Sequence, residues 1–174
     1  MLTKITNDGF DAVYKIMENS FPKNEIRSYE GQYNLLKNPD YSLFAMRKNR
    51  ETVGFIATWD LADFTFVEHF AVSEVCRGKG LGSTILSEIK AMNTKPLVLE
   101  VEPPIDTKTR KRIAFYEKNG LFFHDYYYVQ PAMEDGKEEV ELRIMSTQNL
   151  DELGFESVKK TLYKEVYKRD QRDM

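Results

Sequence analysis

Cysteine is nearly absent from this chain. Its 174 residues hold one, Cys76, which excludes an internal disulfide framework and points to a reducing compartment. Long apolar runs are missing too: none approaches the roughly 20 residues a membrane span needs. The opening residues, MLTKITNDGF, lack the apolar core of a signal peptide. Histidine is limited to His69 and His124, far apart in sequence, so no metal site is expected. Charge of one sign is lacking as well. Twenty-five cations against 28 acids leave a net charge of −3, which argues against a general nucleic-acid binder. A protein that partners neither membrane nor nucleic acid, in the cytoplasm, is the expectation.

What is present is the balance of a folded globular chain, 41% hydrophobic and 30% charged. At this length one domain over 1–174 is expected. Periodicity supplies the elements. A short strand over Met1 to Ile5 precedes a helix over Asp8 to Ser20, capped by Asn7 or Asp8. Ser28 caps a second helix that stops before Asn38-Pro39. Tyr41 to Arg47 and Thr52 to Trp59 read as a hairpin, and Thr65 to Val72 as the next strand. Leu97 to Val101 is a short apolar strand, the kind buried on both faces. Thr107 to Lys118 is helical, with Asn119-Gly120 as its stop. Leu121 to Val129 and Glu138 to Met145 form a second hairpin. An amphipathic C-terminal helix over 149–170 closes the order, expected to pack on the rest or to form the face of a homodimer.

The most distinctive stretch is Arg77-Gly78-Lys79-Gly80-Leu81-Gly82, between a strand and a helix carrying Leu81, Ile85, Ile89 and Met92. Glycines let backbone N–H groups approach an anion, and the helix end adds a favourable dipole. A Walker loop does not fit, because Gly78-Lys79 is followed by Gly80 and Ser73 stands where the first glycine belongs. A dinucleotide turn fits poorly: its third glycine position is Ser83, and three strands in meander order come first, although Glu100 sits where a ribose-binding acid would.

Arg77-x-x-Gly80-x-Gly82 resembles the R/Q-x-x-G-x-G/A signature of the GNAT family of N-acetyltransferases, where it grips the pyrophosphate of acetyl-CoA. The strand EHFAV upstream and the later helix RIAFYEKNG, Arg112 to Gly120, resemble the family as well. The resemblance implies an α/β (α+β) fold with a mixed, mostly antiparallel seven-stranded sheet, its central strands splayed, flanked by helices. It also implies acetyl-CoA as co-substrate. The backbone of Phe70, Ala71, Val72 and Ser73 would hold the pantetheine and polarise the thioester carbonyl. Arg77, Gly78, Lys79, Gly80, Leu81, Gly82, Ser83 and Thr84 would hold the pyrophosphate.

Two residues are then expected to be catalytic. Tyr116 matches the family tyrosine near the thioester sulfur. A thiol near 8.5 is a weaker base than tyrosinate near 10, so full proton transfer is uphill by about 1.5 units, about 2 kcal/mol. A hydrogen bond to the developing thiolate is easier; packing beside Ile113 is the structural alternative. Glu68 is expected to be the base, sharing a strand face with Phe66, Phe70 and Val72 while His69 points away. Burial would raise its pKa, as a base requires. From about 4.3 against an amine near 10.4 the gap is about 6 units, about 8 kcal/mol, so a water chain or a partly neutral substrate is needed. The alternative is a carboxylate paired with a cation.

Glu100 and Glu102 share a face of the next strand and are further candidates for the base. Tyr126, Tyr128 and Glu102 are expected to contact the acceptor, and Asp60, Asp63 and Glu68 to favour a cationic one. Cys76 has no oriented base partner and is not expected to act covalently. The reading is an acetyl-CoA-dependent N-acetyltransferase acting directly on a primary amine of a small molecule. The alternatives are acetylation of a protein lysine or N-terminus, and a non-catalytic CoA-binding sensor or interaction module.

Overall fold

A computed structural model describes residues 1–169. Among these described residues, seven strands form one sheet in the order β1-β2-β3-β4-β5-β7-β6. They are β1 (Leu2–Ile5), β2 (Tyr41–Lys48), β3 (Glu51–Asp60), β4 (Thr65–Val72), β5 (Leu97–Val101), β6 (Phe122–Gln130) and β7 (Val140–Ser146). Every neighbouring pair is antiparallel except β4 and β5. The helices are α1 (Phe10–Ser20), α2 (Tyr29–Asn34), α3 (Leu81–Met92), α4 (Thr107–Lys118) and α5 (Glu152–Thr161). This is the element order that periodicity predicts.

Local chemistry accounts for the boundaries. Ser28 Oγ accepts the Gly31 N–H at 3.1 Å and starts α2. Asp106 and Thr109 form a reciprocal capping box on α4. The cap of α1 is Gly9, at φ 90°, rather than Asn7 or Asp8. Asn49 and Arg50 both take positive φ, the two-residue turn whose twist suits the β2–β3 hairpin.

The sheet separates two cores. On one face α1 buries Phe10, Val13 and Met17, and the C-terminal segment buries Phe155, Val158, Leu162 and Tyr167. On the other face α3 contributes Ile85, Leu86 and Ile89, and α4 contributes Ile113 and Tyr116. The C-terminal helix expected over 149–170 is α5 followed by a π turn, Leu162–Val166. Position 170 lies outside the described residues.

Two irregularities shape the centre of the sheet. β4 and β5 pair only through Thr65↔Leu97, Phe66↔Val98 and Val67↔Leu99, and beyond that point the parallel strands part. On its other side β4 pairs β3 with a register shift: Ala57 faces His69 while Thr58 faces Val67. Glu68 is therefore the extra residue of a β-bulge.

Candidate active site

The bulge overturns the simple alternation expected of β4. Phe66 and Ala71 belong to one core, whereas Val67, Phe70 and Val72 pack against the other. Phe66 and Phe70 thus lie on opposite faces. His69 does not point away from its neighbour either, for its Nδ1 lies 3.5 Å from Glu68 Oε2. His69 Nε2 meets the Glu25 carbonyl at 2.7 Å and its ring packs edge-on to Phe21, a structural arrangement.

Glu68 is corrected as well. Burial alone would raise its carboxyl, but Arg27 Nη1 lies 2.8 Å from Oε1, and with His69 it holds the group down at about 2. A carboxylate so acidic is an ion-pair partner rather than a sink for an ammonium proton. The cation came from outside β4, from the segment between α1 and α2.

Where β4 and β5 part, a cleft of about 890 Å³ opens. It reaches both faces of the sheet, since Tyr116 of one core and Leu142 of the other both line it. Phe70, Ala71, Val72, Arg77, Gly78, Gly80, Leu81, Gly82 and Ser83 line it too. Beyond Val67 one edge of β4 has no strand partner among the described residues, so its main-chain groups face the gap.

At the start of α3 the cap residue is Gly80, which offers no side-chain partner to the first-turn N–H groups of Leu81, Gly82 and Ser83. Gly78 and Gly80 take φ of 74° and 78° with open space where a Cβ would stand. An open, unpaired helix N-terminus of this kind fits a phosphate, and Arg77, Lys108, Lys111 and Lys118 bring cations to the same cleft. Gly82 has a different reason to be glycine: a Cβ there would meet Phe115 Cζ at 3.0 Å.

Three residues expected in the cradle fall outside the lining. The Ser73 N–H already donates to the Val53 carbonyl at 2.9 Å. The Thr84 N–H donates to the Gly80 carbonyl within the helix. Lys79 turns its Nζ to the Val75 carbonyl at 3.1 Å.

Tyr116 lines the cleft, tilted against Phe70 with ring centroids 6.3 Å apart. Burial pushes its hydroxyl up to about 12. It remains a hydrogen-bond donor throughout the physiological range.

The opposite wall is acidic. Glu102 lines the cleft and is paired with Arg112 at 2.5 Å. Asp60 pairs with Lys95 at 2.7 Å, and neither it nor Asp63 lines the cleft, which removes both as acceptor contacts. Tyr126 packs on Phe155, with centroids 4.8 Å apart, and does not line the cleft. Tyr128 is fully buried, and its hydroxyl donates to Glu100 Oε1 at 2.5 Å.

Glu100 stands one residue past the last β4–β5 pair, where the strands part. It lines the cleft, and no cation reaches it within salt-bridge distance among the described residues. Burial raises its carboxyl to about 7, against hydrogen bonds from Tyr128 and Tyr167 that favour its charge. One signal for it was present in the sequence: a lone carboxylate in the otherwise apolar strand Leu97-Val98-Leu99-Glu100-Val101, the same anomaly that singles out Glu68 in β4.

Residues 39–120 match the family described as Acetyltransferase (GNAT) domain. "Putative acetyltransferase YjbC" of Bacillus subtilis is 34% identical over 107 residues, 60% of this chain and 54% of that protein, so the match spans about half of its length. A solved structure, "Putative acetyltransferase from GNAT family" from Bacteroides thetaiotaomicron, superposes with a TM-score of 0.90 at 27% identity, covering 98% of this chain and 99% of that one. The ribosomal-protein-S18-alanine N-acetyltransferase of Escherichia coli shares the fold, with a TM-score of 0.63 at 19% identity over 87% of this chain and 96% of that one. Sheet order, glycine turn and these likenesses agree: the chain has the GNAT fold, and its residues 39–120 match the GNAT acetyltransferase domain.

Proposed function

We propose that this chain transfers the acetyl group of acetyl-CoA directly to a primary amine of a small molecule, in the cytoplasm. The observation that carries the reading is the gap between β4 and β5, with an anion cradle on one side and the Glu100 carboxylate on the other. The backbone of Phe70 to Val72 holds the pantetheine along the free edge of β4, and the N–H groups of Leu81 to Ser83 hold the pyrophosphate. The acceptor enters from the side of Glu25, Gln130, Met133 and Leu142, all of which line the cleft. Buried Gln130 and Met133 make this a confined end, which favours a small acceptor.

Glu100 takes one proton from the bound ammonium, in the role first expected of Glu68. The freed amine nitrogen then attacks the thioester carbonyl carbon, a C–N bond forms, the C–S bond breaks, and the second proton on nitrogen passes to solvent. From a carboxyl near 7 to an amine near 10.4 the gap is about 3.4 units, about 5 kcal/mol, instead of about 8. Tyr116 donates a hydrogen bond to the departing sulfur. With its hydroxyl near 12 and a thiol near 8.5, complete proton transfer is uphill by about 3.5 units, so the thiolate takes its proton from solvent.

A second reading, acetylation of a protein N-terminus, draws support from the same carboxyl. An α-amine near 7.7–8.0 lies within about one unit of it.

Calorimetric titration with acetyl-CoA, with NADH and ATP alongside, tests the cradle. Micromolar-range binding of acetyl-CoA alone is expected, followed by CoA release with members of an amine panel. NADH binding with no heat from acetyl-CoA overturns the reading, and binding without turnover on any amine or peptide favours a sensor.

A further inference from the structure

The C-terminal segment reaches the reacting centre. Tyr167 Oη lies 2.9 Å from Glu100 Oε1 and 2.8 Å from Oε2, so its one proton is shared between both carboxylate oxygens. Tyr128 Oη takes Oε1 from the β6 side. We propose that Tyr128 and Tyr167 form a phenol clamp that holds the Glu100 carboxylate in place to receive the acceptor's proton, which makes the C-terminal segment part of the active site. The proposal rests on the reading of Glu100 as the base.

The backbone is built to deliver Tyr167. After α5 the chain enters the π turn, and the Tyr167 N–H donates to the Leu162 carbonyl five residues back, at 3.1 Å. Such turns are rare and concentrate at functional sites. The turn is pinned to the sheet, because Tyr163 Oη donates to the Val129 carbonyl at 2.5 Å, beside Tyr128. Lys168, at φ 54°, follows at once.

The surroundings explain why two donors are needed. Glu68 of β4 and Glu25 of the turn before α2 both disfavour charge on Glu100. Arg27 is committed to Glu68 at 2.8 Å and acts also on Tyr167. Both phenols are held well above their ordinary range, first by burial and then by the Glu100 charge, so they stay donors. A carboxylate accepting such bonds is stabilised relative to its acid.

The test is a set of pH profiles of kcat/KM for the full chain and its Glu100→Gln, Tyr167→Phe and Tyr128→Phe variants, with carbon-13 NMR titration of the Glu100 carboxyl. Glu100→Gln is expected to lose at least 100-fold at every pH. Each phenylalanine variant is expected to keep its melting temperature within a few degrees and its acetyl-CoA affinity within twofold. In each, the acidic limb and the NMR titration move up by about one unit, about tenfold in rate at pH 6. Full activity in Glu100→Gln overturns the base assignment and the clamp with it. An inactive Glu100→Gln beside phenylalanine variants with unmoved limbs overturns the clamp alone. Tyr167 follows the π turn and lies outside the sheet, so Tyr167→Phe decides the matter even where Tyr128→Phe, within β6, fails to fold.

Discussion

Arg27 Nη1 and Glu68 Oε1 meet at 2.8 Å with both side chains more than nine-tenths buried. Removing one member of such a pair strands the other charge, which costs about 3–5 kcal/mol, whereas replacing both by apolar groups of similar volume is often neutral. Glu68→Gln and Arg27→Met are each expected to lower the melting temperature by about 10 °C. The double variant Arg27→Met with Glu68→Leu recovers most of the loss. Because the folded pKa of Glu68 lies below its ordinary value, its contribution is present above about pH 4.5 and fades as pH falls toward 2. Thermal unfolding at pH 7 and pH 3 reads both effects: the Glu68→Gln deficit shrinks in acid.

Glu100 has the opposite sign. Its folded pKa, about 7, lies above the ordinary 4.5, so the folded chain holds a proton that the unfolded chain has lost. Stability from this site falls as pH rises from about 4.5 to 7, and above 7 the fold carries the full cost of a buried charge. Glu100→Gln is therefore expected to be more stable than the parent at pH 8 by about 2 kcal/mol, less than the shift alone implies because the phenol bonds weaken. At pH 5 the advantage shrinks. Urea unfolding at the two pH values measures it; an equal gap at both would show that Glu100 titrates normally.

The order of strands and helices was legible because it is written in spacings of two and near 3.6, and in turn residues such as Asn119-Gly120. The glycine turn and the start of α3 were legible because a helix N-terminus after glycines is a local feature. What failed was non-local or sub-residue. EHFAV reads as an unbroken strand, and nothing in it marks the bulge that puts Phe66 and Phe70 on opposite faces. Arg27 cancels the burial of Glu68 from a different segment, and no periodicity links the two. Glu100 carried the same signal as Glu68, but its separation from Glu68 in behaviour depends on which one a cation reaches. Tyr167 was visible only as an aromatic near the end of an amphipathic helix, because the π turn that aims it leaves no trace in an apolar spacing.

Gly80 and Gly82 are predicted to fail in different ways. An alanine at Gly80 finds open space but must adopt φ near 78°, which costs about 1–2 kcal/mol. Relaxing that strain turns the first N–H groups of α3 away from the cleft. At Gly82 the backbone is ordinary, but Cβ would press on Phe115 at 3.0 Å and approach Phe70 at 3.5 Å. Gly80→Ala should lower acetyl-CoA affinity about tenfold, the affinity equivalent of about 1.4 kcal/mol. Gly82→Ala should weaken binding less when combined with Phe115→Leu, which makes room. Calorimetry on the three variants separates a strained cradle from a crowded one.

The acceptor's own acidity should order the reaction rates. With Glu100 near 7, an alkylamine near 10.4 gives up its proton uphill by about 3.4 units, whereas an α-amine near 7.7–8.0 does so by about one. At pH 7.5 only roughly one alkylamine in a thousand is already neutral, so neither route to the free base is easy for it. Amino-acid amides should therefore exceed alkylamines of similar size by at least tenfold in kcat/KM at pH 7.5. Where Glu100 takes the ammonium proton, alkylamine kcat/KM should level off once Glu100 ionises, above about pH 7, and stay flat toward pH 10; a climb of about tenfold per pH unit would show that only amine already neutral in solution reacts. A steady-state comparison across pH 6 to 10 decides it. Should alkylamines match the amides at pH 7.5, the proton gap to Glu100 does not limit the rate, and their advantage must come from binding the ammonium against Glu25 and Glu102 at the acidic wall of the cleft.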